Sequence, residues 1–258
     1  MYGQVHENSV FSPFSESTEI TELAANLSFS LETELHPLCQ LAATQLQFHL
    51  KHQQDWEHNF GLLAGVEGAV IGKMFGVLVV RNKEGKLGYI AAFSGKLAGR
   101  NHHAKFVPPI FDGLEAGGFV NAGMEELSRI NEKIRKLEES IETPVLLQEI
   151  QCLKTLRKNH STALQDQIFE QYNFLNKAGQ SKNLMEAFRH TAAQKPPAGA
   201  GECAAPKLLQ YAFLNKMEPL AMAEFWWGLS PKSAYWKHGE FYAPCREKCA
   251  PILAHMLS

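Results

Sequence analysis

Aspartate is almost absent from this 258-residue chain: Asp55, Asp112 and Asp166 are the only three, and glutamate supplies nearly all the acidity. A mechanism that needs an aspartate therefore has few places to go. An excess of charge of one sign is missing as well. Lysine and arginine number 25 against 27 acidic residues, and the pI is near 6.6. That balance excludes a protein that holds nucleic acid by bulk charge, though not one with a local basic patch. No apolar run approaches the roughly 18 residues of a membrane span. Residues 1–33 are rich in Ser, Thr and Glu and lack the basic start and apolar core of a secretion signal, so a cytoplasmic chain is expected. The five cysteines are an odd number without an export signal, which points to reduced thiols serving core, metal or catalysis rather than disulfides. What is present is enough for a packed body. With 45% hydrophobic and 10% aromatic residues the chain is not disordered, and its length suits one large domain or two small ones.

Patterning divides the chain. Residues 1–34 read as a polar leader, an extended strap pinned by Phe11, Pro13 and Phe14. His36-Pro37 opens an amphipathic helix to about Lys51. Met74–Val80 and Leu87–Phe93 are apolar runs joined by Asn82-Lys83-Glu84-Gly85, which predicts a central hairpin covered on both faces. Residues 94–120 form a long irregular segment. Leu127, Ile130, Ile134, Leu137 and Ile141 then step by 3, 4, 3 and 4, a coiled-coil seam. Thr143-Pro144 starts a second helix, predicted to run to about Asn176, so that the pair forms an antiparallel arm. Pro206 sits in the first turn of a helix over Ala205–Leu214, Pro219–Trp227 reads as a strand, and Cys245 onward is helical with Pro251 expected to kink or split it. The expected fold class is α/β: residues 35–123 and 195–258 make a small sheet covered by helices, and residues 124–194 are a helical hairpin inserted in it.

Four groups of residues bear on chemistry. Cys203 and Cys245 each sit at a predicted helix start, and Cys249 lies one turn beyond Cys245. Helix N-termini favour thiolates, and three thiolates plus a water make an open zinc site. Nucleobase deaminases carry His-x-Glu and later Pro-Cys-x-x-Cys, with the Glu shuttling protons. The element order here resembles that core, and Cys203-Ala204-Ala205-Pro206 resembles its first motif. Two departures stand out. Ala205 occupies the Glu position, and three residues rather than two separate Cys245 from Cys249. Glu202 and Glu224 are the candidate proton shuttles in its place, and ordinary buried thiols are the plainer alternative. Glu224 lies in the apolar run Ala221–Trp227, so it either faces solvent on an edge strand or is a buried site residue partnered by Lys207 or Arg246. Trp226, Trp227, Lys232, Tyr235, Trp236, Lys237 and Tyr242 interleave aromatic and basic side chains, as a surface for single-stranded RNA does. Lys154, Arg157 and Lys158 form the only basic patch of the arm. His36 with Cys39, and His102-His103, are weaker metal candidates. A Gly-rich phosphate loop, a Ser-centred elbow and an HExxH pattern are all missing.

Several longer strings go together: His36-Pro-Leu-Cys39, Gly72-Lys-Met-Phe-Gly-Val-Leu-Val-Val80, Gly88–Gly95, Phe106-Val-Pro-Pro109, Pro197–Leu209, Met222–Gly228 and Cys245–Leu253. Over residues 10–258 they resemble the N-terminal extension found in a long bacterial subgroup of RluA-type RNA pseudouridine synthases. The resemblance implies an RNA-modification context with no cofactor. The isomerase motif of that family, His-Arg-Leu-Asp, is not matched by any of the three aspartates, so no catalytic residue carries over. It implies a non-catalytic accessory module whose partners are structured RNA or a synthase catalytic domain, with no membrane. The alternatives are a zinc-dependent, deaminase-like hydrolytic enzyme and a coiled-coil adaptor that dimerises through Ile134.

Overall fold

A computed structural model describes residues 10–25, 27–31, 34–140 and 143–258. Residues 1–9 of the predicted strap and Ile141 of the predicted seam lie outside them. In chain order the first elements are β1 (Ser12–Pro13), α1 (Thr18–Ala25), α2 (Pro37–His52), β2 (Lys73–Arg81) and β3 (Leu87–Phe93). The two long helices α3 (Phe119–Glu138) and α4 (Pro144–Glu170) follow. The chain then returns through β4 (Asn173–Leu175), β5 (Ser181–Asn183) and α5 (Leu184–Phe188). It ends with α6 (Ala204–Leu214), β6 (Glu218–Trp227), β7 (Phe241–Tyr242) and α7 (Arg246–Met256).

The fold is mixed α/β, an antiparallel five-stranded sheet in the order β1-β3-β2-β6-β7 with helices packed on it. The hairpin turn is closed by Asn82, whose side chain accepts from Glu84 and Lys86, and by Gly85 at φ +81°. Strand β2 is buried on both faces, as its unbroken apolar run predicts. Phe75, Val77 and Val79 meet α2, while Leu78 and Val80 join the layer of α6 and α7. Helix α2 starts where His36 Nδ1 accepts from the Leu38 N–H and Pro37 supplies a preset first turn. Its stripe of Leu38, Cys39, Ala42, Leu46 and Leu50 is buried on the sheet. On β6, Pro219 has no N–H for the ladder, and the register shifts there between Val79 and Val80.

The described leader is extended only at its start, where Ser12 and Pro13 pair with Tyr89 and Gly88 and Phe14 is buried; Thr18–Ala25 is the helix α1, not the expected extended strap. Helices α3 and α4 pack on each other, and Thr143 caps α4 by accepting from the Leu146 N–H. The seam is thereby occupied within the chain, with Ile130 and Ile134 buried. Two expectations change. Helix α4 ends at Glu170, and Tyr172, Phe174, Leu184 and Phe188 pack into the body beside α6 and α7, so the arm is shorter than 124–194. Helix α7 runs unbroken through Pro251 rather than splitting, because Ile252, Leu253 and Met256 beyond the proline are held in the core. Among the described residues no helix is long and apolar enough to cross a membrane.

Candidate metal centre

Cys203 and Cys245 are the N-cap residues of α6 and α7, both in extended backbone. The turn before Cys203 is possible because Gly199 and Gly201 take φ of +74° and +90°. At Gly201 a Cβ would fall 2.7 Å from the Tyr172 ring, so this turn admits glycine only. Helices α6 and α7 share one face of the sheet, and this brings their N-termini together. The Cys203 and Cys245 sulfurs are 3.9 Å apart and those of Cys245 and Cys249 3.4 Å, with all three within 4.8 Å of one another. A tetrahedral zinc with bonds of about 2.3 Å needs sulfurs about 3.8 Å apart, so the donor set fits in both chemistry and spacing. The trio is the one group of three metal-ligating side chains among the described residues. Its protons are unequal. Contacts from Cys203 and Cys249 hold Cys245 far below the usual thiol range. The Cys245 contact and burial push Cys203 up to about 12, and Cys249 is raised further by both sulfur neighbours and burial. Three thiolates coexist here only with a cation among them.

Glu224 completes the centre. Strand β6 is internal, not an edge, and Glu224 is 4% exposed, so the solvent-facing alternative is excluded. Its Oε1 accepts from the Ala205 N–H at 3.0 Å. The expected partners do not take it: Lys207 donates instead to the Phe93 and Gly95 carbonyls, at 3.0 and 3.3 Å. A small residue in the ladder lets α6 approach the strand that carries the carboxylate. Gly76 stands opposite Glu224 in the ladder, and a Cβ there would lie only 3.0 Å from Ala204 and Leu208 of α6. The Glu224 side chain thus reaches the backbone of position 205, whose own side chain would be the Glu of the His-x-Glu pattern. Burial raises Glu224 to about 7, against the Ala205 N–H, which lowers it, and Cys245 adds to the rise. A cleft of about 200 Å³ is lined by Glu224, Met222, Tyr242 and Pro244, the last adjoining Cys245.

No family model, curated protein or solved structure matches the chain.

The other candidates separate. Glu202 is not beside Glu224 but accepts from the Tyr172 hydroxyl at 3.3 Å. Trp226 stacks on Trp236, 5.3 Å between centroids and 19° between planes, with Tyr235 and Tyr242 against Trp236. Lys232 and Lys237 are exposed on the same loop. Trp227 is a correction to the aromatic surface: alternation along β6 turns it to the α2 side, where it is 2% exposed in the core. In the arm, Lys154 pairs with Glu138 at 2.7 Å and Arg157 donates to Asn131 at 2.9 Å, while Lys158 stays exposed. Two of the three basic groups therefore tie the helical pair together. The histidine candidates hold no metal cluster: His36 caps α2, His102 pairs with Asp112 at 2.9 Å and His103 bonds the Leu97 carbonyl.

Sequence reasoning named Lys207 only as a candidate partner of Glu224 and missed its burial against the Phe93 and Gly95 carbonyls. The residue is 4% exposed, and its ammonium lies 5.1 Å from the centre of the Phe93 ring. Burial lowers it to about 8, with Glu202 and Cys203 opposing the fall. A lysine four residues after Cys203 on an apolar helix was the one available signal.

Proposed function

We propose that the chain is a zinc-dependent hydrolytic enzyme of deaminase type, removing an exocyclic amino group from a nucleobase-like heterocycle. The observation that carries this reading is the convergence of three cysteine sulfurs on one point beside a buried carboxylate raised to about 7. The placement of α6 and α7 on one face, after a hairpin and on either side of β6, supports it. Cys203, Cys245 and Cys249 would hold the zinc, which when bound supplies the Lewis acidity to activate a water near neutral pH. Glu224 accepts a proton at Oε2, its Oε1 being fixed by Ala205, and returns it to the departing amine. The cleft along Tyr242 and Met222 admits a flat ring to that carboxylate. Reduced thiols in the centre suit a cytoplasmic setting. The test is metal analysis of the gently purified chain with assay of ammonia release from cytosine- and adenine-containing nucleosides and oligonucleotides. About one equivalent of zinc with ammonia release from at least one substrate is expected. Zinc-free protein, or zinc-loaded protein inert towards all of them, overturns it.

A second reading follows from the aromatic loop, and it is the accessory role implied by the resemblance to RluA-type synthases. The stacked Trp226–Trp236 pair beside Tyr235, which is 66% exposed, offers a platform for unstacked bases, with Lys232 and Lys237 for phosphates. Binding of single-stranded RNA is expected to weaken with salt, and Trp236→Ala is expected to weaken it about 5- to 100-fold, corresponding to the loss of one stacked base. Filter binding or fluorescence anisotropy at two salt concentrations measures both. Equal affinity in the variant removes this loop from the reading.

A further inference from the structure

A second cavity, of about 120 Å³, lies where the arm meets the body, on the side of α6 that carries Lys207. Its volume is that of roughly four water molecules. Its walls are of two kinds. Phe111 and Ile168 give an apolar side, and Lys207, Glu202 and Tyr172 give a polar one.

The polar groups are incompletely used. An ammonium has three N–H donors, and Lys207 spends two on the Phe93 and Gly95 carbonyls. The third has no protein acceptor among the described residues. Glu202 Oε1 takes the Tyr172 hydroxyl, and Oε2 has no donor among them. The two opposite charges feel each other but are not hydrogen-bonded together. A lysine at 4% exposure with a donor to spare is costly to leave unpaired, and across the cavity the half-buried Glu202 offers an oxygen with no protein donor among the described residues.

The charge pattern selects the ligand. Lys96 and Asn101 line the cavity as well, so a cation alone would meet Glu202 but be repelled by two ammonium groups, and an anion alone would leave Glu202 facing it unpaired. We propose that this cavity binds a small zwitterion of the α-amino acid class, its carboxylate on Lys207, its ammonium on Glu202 and its short aliphatic side chain against Phe111 and Ile168. The size excludes the larger amino acids. The cavity lies at the root of α3 and α4, where Phe111 stacks on Phe119 at 5.9 Å and meets the Tyr172 ring edge-on at 5.8 Å, so an occupant contacts both the arm and the body. This site does not rest on the zinc reading: none of its binding groups is a thiol, although Lys207 feels the charge of the neighbouring Cys203.

The experiment is calorimetric titration of the full chain, as purified, with glycine and alanine. Propionate, ethylamine and propionamide serve as matched probes carrying one charge or none, and tryptophan as a size control. Saturable binding of alanine or glycine is expected, with none by the three matched probes or by tryptophan. Glu202→Gln, which keeps the shape of a half-exposed side chain, is expected to weaken binding at least about tenfold, and Lys207→Met likewise. Circular dichroism checks the fold of both, and the glutamine variant decides the matter if the methionine variant unfolds. Propionate binding as well as alanine would make this an anion site and overturn the assignment. So would absence of alanine and glycine binding, or full affinity in a folded Glu202→Gln protein.

Discussion

Cys249→Ser is expected to empty the metal centre, lowering zinc from about one equivalent to less than about a tenth. Cys249 is fully buried, and its sulfur lies 3.4 Å from that of Cys245. A hydroxyl there is a hard, protonated donor and no substitute for a soft thiolate. The consequence extends to stability, because a metal that binds only the folded chain stabilises it by mass action. At free zinc 1,000-fold above the dissociation constant the gain is about 4 kcal/mol. Chelation should therefore lower the urea midpoint of the wild-type chain strongly and leave that of Cys249→Ser unchanged. The same centre joins the first turns of α6 and α7, the two helices that cover one face of the sheet, so the loss is expected across the whole unfolding transition rather than in one loop. A wild-type midpoint indifferent to chelator would contradict a zinc-holding trio.

Glu224→Gln is expected to leave zinc in place and to cut turnover by about 10²- to 10⁴-fold, the usual contribution of a positioned acid–base group. Glutamine can still accept from the Ala205 N–H, so the geometry persists while the proton carrier is gone. The metal-free chain gives a second, independent readout. Burial raises Glu224 from its ordinary 4.5 to about 7. Between these values the folded protein holds a proton that the unfolded chain has released, so this group makes stability fall as pH rises from about 4.5 to 7 and contributes no slope above it. The drop amounts to about 3 kcal/mol, since each tenfold change in a protonation equilibrium is worth about 1.4 kcal/mol. Glu224→Gln removes it, so the metal-free variant is expected to be the less pH-sensitive of the two and the more stable above pH 7. Urea midpoints at pH 5 and pH 8 measure the difference, and identical pH profiles would show that Glu224 is not the buried acid described here.

Much of this was readable from local pattern. The hairpin follows from two apolar runs around Asn82–Gly85, because a strand covered on both faces has no polar alternation to keep. The start of α2 at His36-Pro37 and of α4 at Thr143-Pro144 follows from capping, which is settled within one turn of chain. Cys203, Cys245 and Cys249 could be named in advance as a group because each falls at or one turn beyond a helix start. The extent of the arm was less legible. The apolar spacing of α4 continues past Glu170 into residues that pack against α6 and α7, and periodicity does not say which surface a side chain will meet.

The sequence by itself determined α2, the central hairpin, the two arm helices, α6, β6, α7 and the candidate metal ligands, since these depend on turns, caps and spacing along a short stretch of chain; the short elements β1, α1, β4, β5, α5 and β7 were not legible in it. The tertiary structure alone decided what those ligands face. Glu224 meets the Ala205 amide because β6 pairs with β2 in one register, which places Gly76 opposite it. Trp227 was removed from the surface and Lys207 turned towards the cavity under the arm by the same packing. These contacts join residues from 19 to 148 positions apart, from the Ala205–Glu224 hydrogen bond to the Gly76–Glu224 pair. Their energy depends on burial and distance, which no local window of sequence contains.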